Sequence, residues 1–144
     1  MQTLSSSLIF FMNLAKAQTV ISRRLDGALG GISFSEFVIL FTLSVAPDNK
    51  LKRIDLANKV GLTASGVTRL LWPMEKIGLV SRETNEKDAR VSLVILAPGG
   101  KRKLEEAIER AEFFAEETVS PEDVGKLGEM SDLLIKIGKA IVWN

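Results

Sequence analysis

The chain has 144 residues, the size of one ordinary domain, and its 46% hydrophobic and 26% charged residues are typical of a globular protein rather than a disordered one. It contains no cysteine and no histidine, which excludes disulfides, thiolate metal sites, cysteine nucleophiles and the usual general base near neutral pH. The net charge is only +1, but residues 50–90 carry nine Lys and Arg against five Asp and Glu, so the middle of the chain is basic.

Two helices are predicted before this basic segment. Apolar residues recur at helical spacing over residues 8–29, and a pair of glycines then interrupts the pattern. Ser33 and Glu36 have the spacing of a capping box, in which each side chain accepts a hydrogen bond from the other residue's amide. A second helix is therefore expected to begin there and to end before Pro47.

Two short helices joined by a tight turn follow. Residues 54–60 form an amphipathic helix that Gly61 ends, and Thr63 is placed to cap the next helix. Ala57, Gly61 and Val67 have the spacing of small residue, glycine and aliphatic residue that is typical of a helix-turn-helix.

A β-hairpin and two more helices complete the prediction. Residues 79–83 and 91–96 are extended segments on either side of a polar loop. The run Ala97-Pro98-Gly99-Gly100 marks a boundary before the next helix, and Ser120-Pro121-Glu122-Asp123 supplies the cap of the last one. Long apolar stripes on the first and last helices exceed what the middle of the chain can cover, which favours a homodimer over a monomer.

The helix after Thr63 separates its apolar and polar side chains. The residues expected to face inward are Val67, Leu70, Leu71, Met74 and Ile77. The residues expected on the opposite face are Ser65, Thr68, Arg69, Trp72 and Lys76. Their hydroxyl, guanidinium and ammonium groups suit the base edges of a DNA major groove. An ordinary solvated helix face is the competing interpretation, and the adjoining helix-turn-helix spacing favours DNA.

Basic residues also cluster at the hairpin loop. Arg82, Lys87 and Arg90 surround a polar segment, and a wing of this kind can place an arginine in a minor groove. Asp88 lies two residues before Arg90, near enough to orient its guanidinium through a bidentate pair. A solvated hairpin tip with an incidental ion pair is the alternative.

Together these segments resemble the MarR family of winged helix-turn-helix regulators over nearly the whole chain. The strongest match is Gly78-Leu79-Val80-Ser81-Arg82 followed by Asp88-Ala89-Arg90, which is similar to the family's "GLV-x-R … D-x-R" wing. Residues 62–70 resemble its recognition helix, and residues 120–123 resemble the start of its final dimerisation helix.

The resemblance implies one MarR-like domain over residues 1–144, mainly α with a small β-hairpin wing. Its winged helix-turn-helix region would be 33–96, flanked by dimerisation helices in 1–30 and 98–144. Such a homodimer would regulate transcription, with repression as the expected mode, by binding a near-palindromic double-stranded operator whose half-sites lie about 10 base pairs apart. The residues expected at DNA are Thr63, Ser65, Thr68, Arg69, Lys76, Arg82, Lys87, Asp88 and Arg90.

By this resemblance Ser65, Thr68 and Arg69 would contact bases or phosphates, while Arg90 would enter the minor groove under the control of Asp88. Trp72-Pro73 departs from the family pattern, because the proline removes the hydrogen bond to the Arg69 carbonyl and is expected to bend the helix. The indole of Trp72 has three interpretations: contact with the DNA backbone, a place in a ligand pocket, or packing on a neighbouring helix.

The resemblance further implies a small phenolic or lipophilic effector. The aromatic residues in the corresponding region are Phe10, Phe11, Phe34, Phe37 and Phe41, although core packing is the commoner role for such residues.

No apolar run approaches the roughly 20 residues that span a bilayer, and no basic segment precedes the first run as in a signal peptide. We therefore expect a soluble, cytoplasmic protein with no membrane contact, metal or cofactor. The first alternative function is a winged helix that binds only other proteins, without DNA. An enzyme ranks last, because no pair of carboxylates stands out.

Overall fold

The computed structural model of the chain describes residues 1–84, 87–88 and 91–142, with residue 142 described by its backbone alone. The helices in this described part are α1 (Ser6–Asp26), α2 (Phe34–Ser44), α3 (Arg53–Val60), α4 (Ala64–Lys76), α5 (Pro98–Thr118), α6 (Pro121–Val124) and α7 (Leu127–Val142). The strands are β1 (Lys50–Lys52), β2 (Val80–Thr84) and β3 (Ser92–Leu96). The predicted mainly α fold with a small wing is confirmed. Two compact units, Met1–Ala111 and Glu112–Asn144, divide the chain within α5.

Local signals in the sequence set the helix ends of the first unit. The capping box is present, since Ser33 Oγ accepts from the Glu36 amide at 3.1 Å and Glu36 Oε1 accepts from the Ser33 amide at 2.8 Å. Gly61 ends α3 in the left-handed conformation (φ 74°), which glycine adopts without a steric penalty. The buried core of this unit contains Leu29 from the segment after α1, together with Ile39, Leu40, Leu43, Leu56, Val67, Met74 and Val94 from the helices and the sheet.

The sheet has one strand more than the predicted hairpin. The strand order is β1-β3-β2, and both pairs are antiparallel. Lys50 of β1 lies opposite Ile95 of β3, and Arg82 of β2 lies opposite Val94 of β3. The sequence gives little sign of β1, because a strand of three residues is too short to show an alternating pattern. Its position beside β3 places the start of α3 next to the wing.

The boundary predicted at Ala97-Pro98-Gly99-Gly100 contains the start of α5 at Pro98, and Gly99 and Gly100 lie inside the first turn of this helix. A Cβ atom on Gly99 would lie 2.7 Å from the Gly78 carbonyl oxygen, and one on Gly100 would lie 2.8 Å from Leu96 Cδ1. These glycines therefore allow α5 to approach the wing closely instead of interrupting the helix.

The second unit contains the end of α5, α6 and α7. The single last helix predicted from residue 120 is wrong, because α6 ends at Val124 and α7 begins at Leu127. Ser120 occupies the N-cap position of α6, but its hydroxyl donates to Asp123 Oδ2 at 3.1 Å and caps no backbone amide. No residue described in this unit is buried. None of the described helices combines the length and the apolar character needed to cross a bilayer.

Candidate nucleic-acid interface

Helix α4 buries one face and exposes the other, largely as its sequence predicts. Val67, Leu71 and Met74 are buried in the first unit, and Leu70 is half-buried. Ile77 is 67% exposed, so its predicted inward position is wrong. It is the C-cap residue, where the backbone leaves helical geometry (ψ 9°) and the helical periodicity no longer determines the direction of the side chain. The exposed side chains of α4 include Ser65, Thr68, Arg69, Trp72 and Lys76.

Pro73 lies inside α4 without ending it. The helix continues to Lys76, and the Ile77 amide donates to the Pro73 carbonyl at 3.3 Å. Pro73 has no amide hydrogen, so the Arg69 carbonyl receives no hydrogen bond from that position. The exposed face is thus continuous over the whole length of the helix.

Thr63 begins this helix and uses its hydroxyl to do so. Its Oγ1 accepts from the Gly66 amide at 3.0 Å and lies 3.3 Å from Ser65 Oγ. This contact satisfies one of the amides that a helix N-terminus leaves without an intrahelical partner. In this structure the predicted DNA-contacting residue Thr63 is a helix cap.

We expect Thr63→Ala to lower the free energy of unfolding by about 1 kcal/mol, because the Gly66 amide loses its acceptor. Thr63→Ser keeps the hydroxyl and is the matched control. Urea unfolding followed by circular dichroism measures both. Equal stability of the alanine and serine variants would contradict the capping role.

The hydroxyl of Thr68 is also occupied within the protein. It donates to the Ala64 carbonyl at 2.9 Å and accepts a hydrogen bond from the guanidinium of Arg53. One lone pair remains for a DNA group, so Thr68 is a weaker candidate for base contact than its position on the face suggests. Sequence reasoning missed Arg53, which lies 15 residues before Thr68 and shows no local pattern that pairs them. This bond joins α3 to the exposed face of α4.

Two exposed ion pairs connect the wing to its surroundings. Arg82 on β2 lies 2.9 Å from Glu75 on α4, measured from Nε to Oε2. Lys50 on β1 lies 3.8 Å from Glu83 on β2, between Nζ and Oε2. Each such pair contributes about 0 to 1 kcal/mol at an exposed site, so their effect is mainly to orient the base of the wing. Arg82 therefore reaches any phosphate only in competition with Glu75.

A cleft of about 410 Å³ lies between α4 and the sheet. The residues lining it are Arg53, Thr68, Leu71, Trp72, Glu75, Arg82, Ser92 and Val94. Trp72 lines this cleft, and the residue is 66% exposed. The ammonium of Lys76 lies 4.9 Å from the centroid of its ring. Within the described part of the first unit, no neighbouring helix covers the indole of Trp72.

The tip of the wing is described only in part. Lys87 is exposed and Asp88 is half-buried, and the Asp88 carbonyl accepts from the Val91 amide at 3.0 Å. Arg90 lies outside the described residues, so its pairing with Asp88 and its entry into a minor groove stay predictions.

The five phenylalanines of the predicted effector region lie on two helices. Phe10 and Phe11 are exposed on α1, with ring centroids 6.1 Å apart. Phe34 and Phe37 on α2 are half-buried and stacked at 5.9 Å. Phe41 lines a separate cleft of about 350 Å³. The effector stays a prediction from the resemblance.

Residues 32–92 match the family model described as MarR family. The chain is 33% identical over 93 residues to YdgJ, an uncharacterized HTH-type transcriptional regulator of Bacillus subtilis (strain 168), a match that covers 65% of this chain and 56% of YdgJ. It is 30% identical over 104 residues to YetL, an HTH-type transcriptional repressor of the same organism, covering 71% of this chain and 62% of YetL. The matches thus span less than two thirds of each relative.

Solved structures share the fold over a greater length. BldR, a transcriptional regulator from Sulfolobus solfataricus, has a TM-score of 0.80 at 28% identity, covering 94% of this chain and 99% of BldR. Sco3205, a MarR family transcriptional regulator from Streptomyces coelicolor solved in complex with DNA, has a TM-score of 0.76 at 22% identity, covering 94% of this chain and 90% of Sco3205.

Proposed function

We propose that this chain is a MarR-family, sequence-specific regulator of transcription that binds double-stranded DNA as a homodimer, and the match of residues 32–92 to the MarR family model supports the proposal. The family that residues 32–92 match is one of transcriptional regulators rather than of enzymes, and the fold is shared with a solved MarR family regulator. We expect it to act in the cytoplasm on a near-palindromic operator. The similarity to the repressor YetL favours repression.

The exposed face of α4 carries the proposal, and Arg69 is its central residue. Arg69 is exposed, and none of the hydrogen bonds or ion pairs among the described residues engages it. A guanidinium in the middle of a recognition helix can bind guanine O6 and N7 or a phosphate through two hydrogen bonds. In contrast, Thr68 and Arg82 already have partners within the protein.

Apolar surface supports the homodimer. The large apolar side chains exposed on α1 are Leu8, Ile9, Phe10, Phe11, Met12, Leu14, Val20 and Ile21. Those exposed on α7 are Leu127, Met130, Leu133, Leu134, Ile135 and Ile141. Exposed apolar surface of this extent on a helix is unusual on a monomer and typical of an interface between subunits. We propose that a second copy of the chain covers it.

The salt dependence of duplex binding tests the proposal. A dimer that neutralises about five phosphates should show a slope of log K against log salt of about −4.5. Fluorescence anisotropy with the DNA upstream of the chain's own gene measures this slope, and sedimentation of the same sample should give the mass of a dimer. A scrambled duplex of equal length is the control. A flat salt response would favour the alternative of a winged helix that binds only proteins.

A further inference from the structure

Trp72 occupies the centre of the exposed face of α4. At about 100° per residue, the other exposed polar residues of this face lie within roughly 60° of it around the helix axis. Those residues are Ser65, Thr68, Arg69 and Lys76. Any DNA duplex that contacts these groups along α4 therefore also contacts the indole.

The exposure of Trp72 is unusual for a side chain of its type. Tryptophan is highly buried on average, yet this one is 66% exposed in the first unit. The ammonium of Lys76 lies 4.9 Å from the ring centroid, and the described part of the chain leaves most of the indole uncovered. A large apolar surface amid groups suited to DNA indicates that the DNA itself covers it.

The apolar surface that a major groove offers is the C5-methyl group of thymine. Phosphate oxygens are charged and match the arginine and lysine on this face, but they offer an indole ring no apolar contact. We propose that Trp72 is a specificity-determining residue whose indole packs against a thymine methyl in each half-site, an inference that rests on the DNA-binding function proposed above.

The spacing along α4 locates this thymine. Trp72 is three residues beyond Arg69, which corresponds to roughly 5 Å of helix rise. Base pairs are about 3.4 Å apart, so the contacted thymine should lie one to two base pairs from the position that Arg69 contacts.

Removal of single methyl groups from the operator tests the proposal. Each thymine of one half-site is replaced in turn by deoxyuridine, and affinities are measured for the wild type and for Trp72→Ala. We expect one substitution to weaken the wild type about fourfold, the effect of one methyl group removed from an apolar contact. The same substitution should leave the affinity of Trp72→Ala unchanged, and Arg69→Ala should lose base discrimination one to two base pairs away.

Ile77→Ala is the matched control, because Ile77 is 67% exposed at the end of the same helix but lies outside this face. It should respond to deoxyuridine like the wild type. If no deoxyuridine weakens the wild type, or if one weakens Trp72→Ala equally, the thymine contact is overturned while the proposed function stands. If the wild type binds no duplex, both are overturned.

Discussion

Arg69→Ala should weaken operator binding by about a thousandfold while the protein stays folded. A bidentate contact between arginine and guanine contributes about 2 kcal/mol of discrimination, and a dimer loses two of them, or about 4 kcal/mol in total. The side chain is exposed and makes no hydrogen bond or ion pair with any described residue, so its removal leaves no partner unsatisfied in the protein. Fluorescence anisotropy gives the affinity, and circular dichroism gives the fold.

Lys59→Ala is the control for charge. It removes one positive charge from the adjacent helix α3, at a side chain that lines the cleft beside Phe41 instead of the face of α4. Because loss of charge alone weakens all DNA binding uniformly, Lys59→Ala should change affinity less than tenfold, equally for operator and scrambled duplex. An Arg69→Ala variant that binds the operator no worse than Lys59→Ala would remove Arg69 from the interface.

The features that depend on neighbours in the chain were predictable from sequence. The capping box at Ser33, the left-handed Gly61 and the cap at Thr63 each involve residues within one helical turn, so their spacing determines the contact. The buried row of Val67, Leu71 and Met74 follows in the same way from helical periodicity.

Contacts between distant segments were not predictable. Arg53 meets Thr68 and Glu75 meets Arg82 only because the turn at Gly61 and the wing bring their elements together. In a single sequence, nothing indicates that the two members of each pair are in contact. The consequence for the site is substantial, since Arg53 and Arg82 have partners within the protein, whereas Arg69 has none among the described residues.

The glycines at the start of α5 also depend on residues that are distant in the sequence. Gly99 and Gly100 belong to the run Ala97-Pro98-Gly99-Gly100 that predicts a boundary before a helix, and α5 begins within this run at Pro98. The role of these two glycines depends on residues 78 and 79, about twenty positions earlier, because the start of α5 packs against them. The absence of a side chain is visible in the sequence, but the backbone that occupies the vacated space is not.

Gly100→Ala should therefore lower the free energy of unfolding by about 3 kcal/mol, a large effect of overpacking. The added Cβ would overlap the Leu79 carbonyl oxygen and lie 2.8 Å from Leu96 Cδ1. The Leu79 carbonyl also accepts from the Ala97 amide at 3.1 Å, so it cannot move away without losing that bond. Helix propensity alone would make the substitution stabilising by about 1 kcal/mol, so the sign of the change decides between the two effects.

Urea unfolding followed by circular dichroism measures this change, with Gly27→Ala as the matched control. Gly27 has φ −92°, and a Cβ there would meet only the Arg24 carbonyl oxygen at 3.8 Å, an ordinary contact. Its substitution should shift stability by less than about 0.5 kcal/mol, as for surface positions in general. If Gly100→Ala were as stable as Gly27→Ala, α5 would not pack against the segment between α4 and β2. The base of the wing would then need another anchor, such as the ion pair between Arg82 and Glu75.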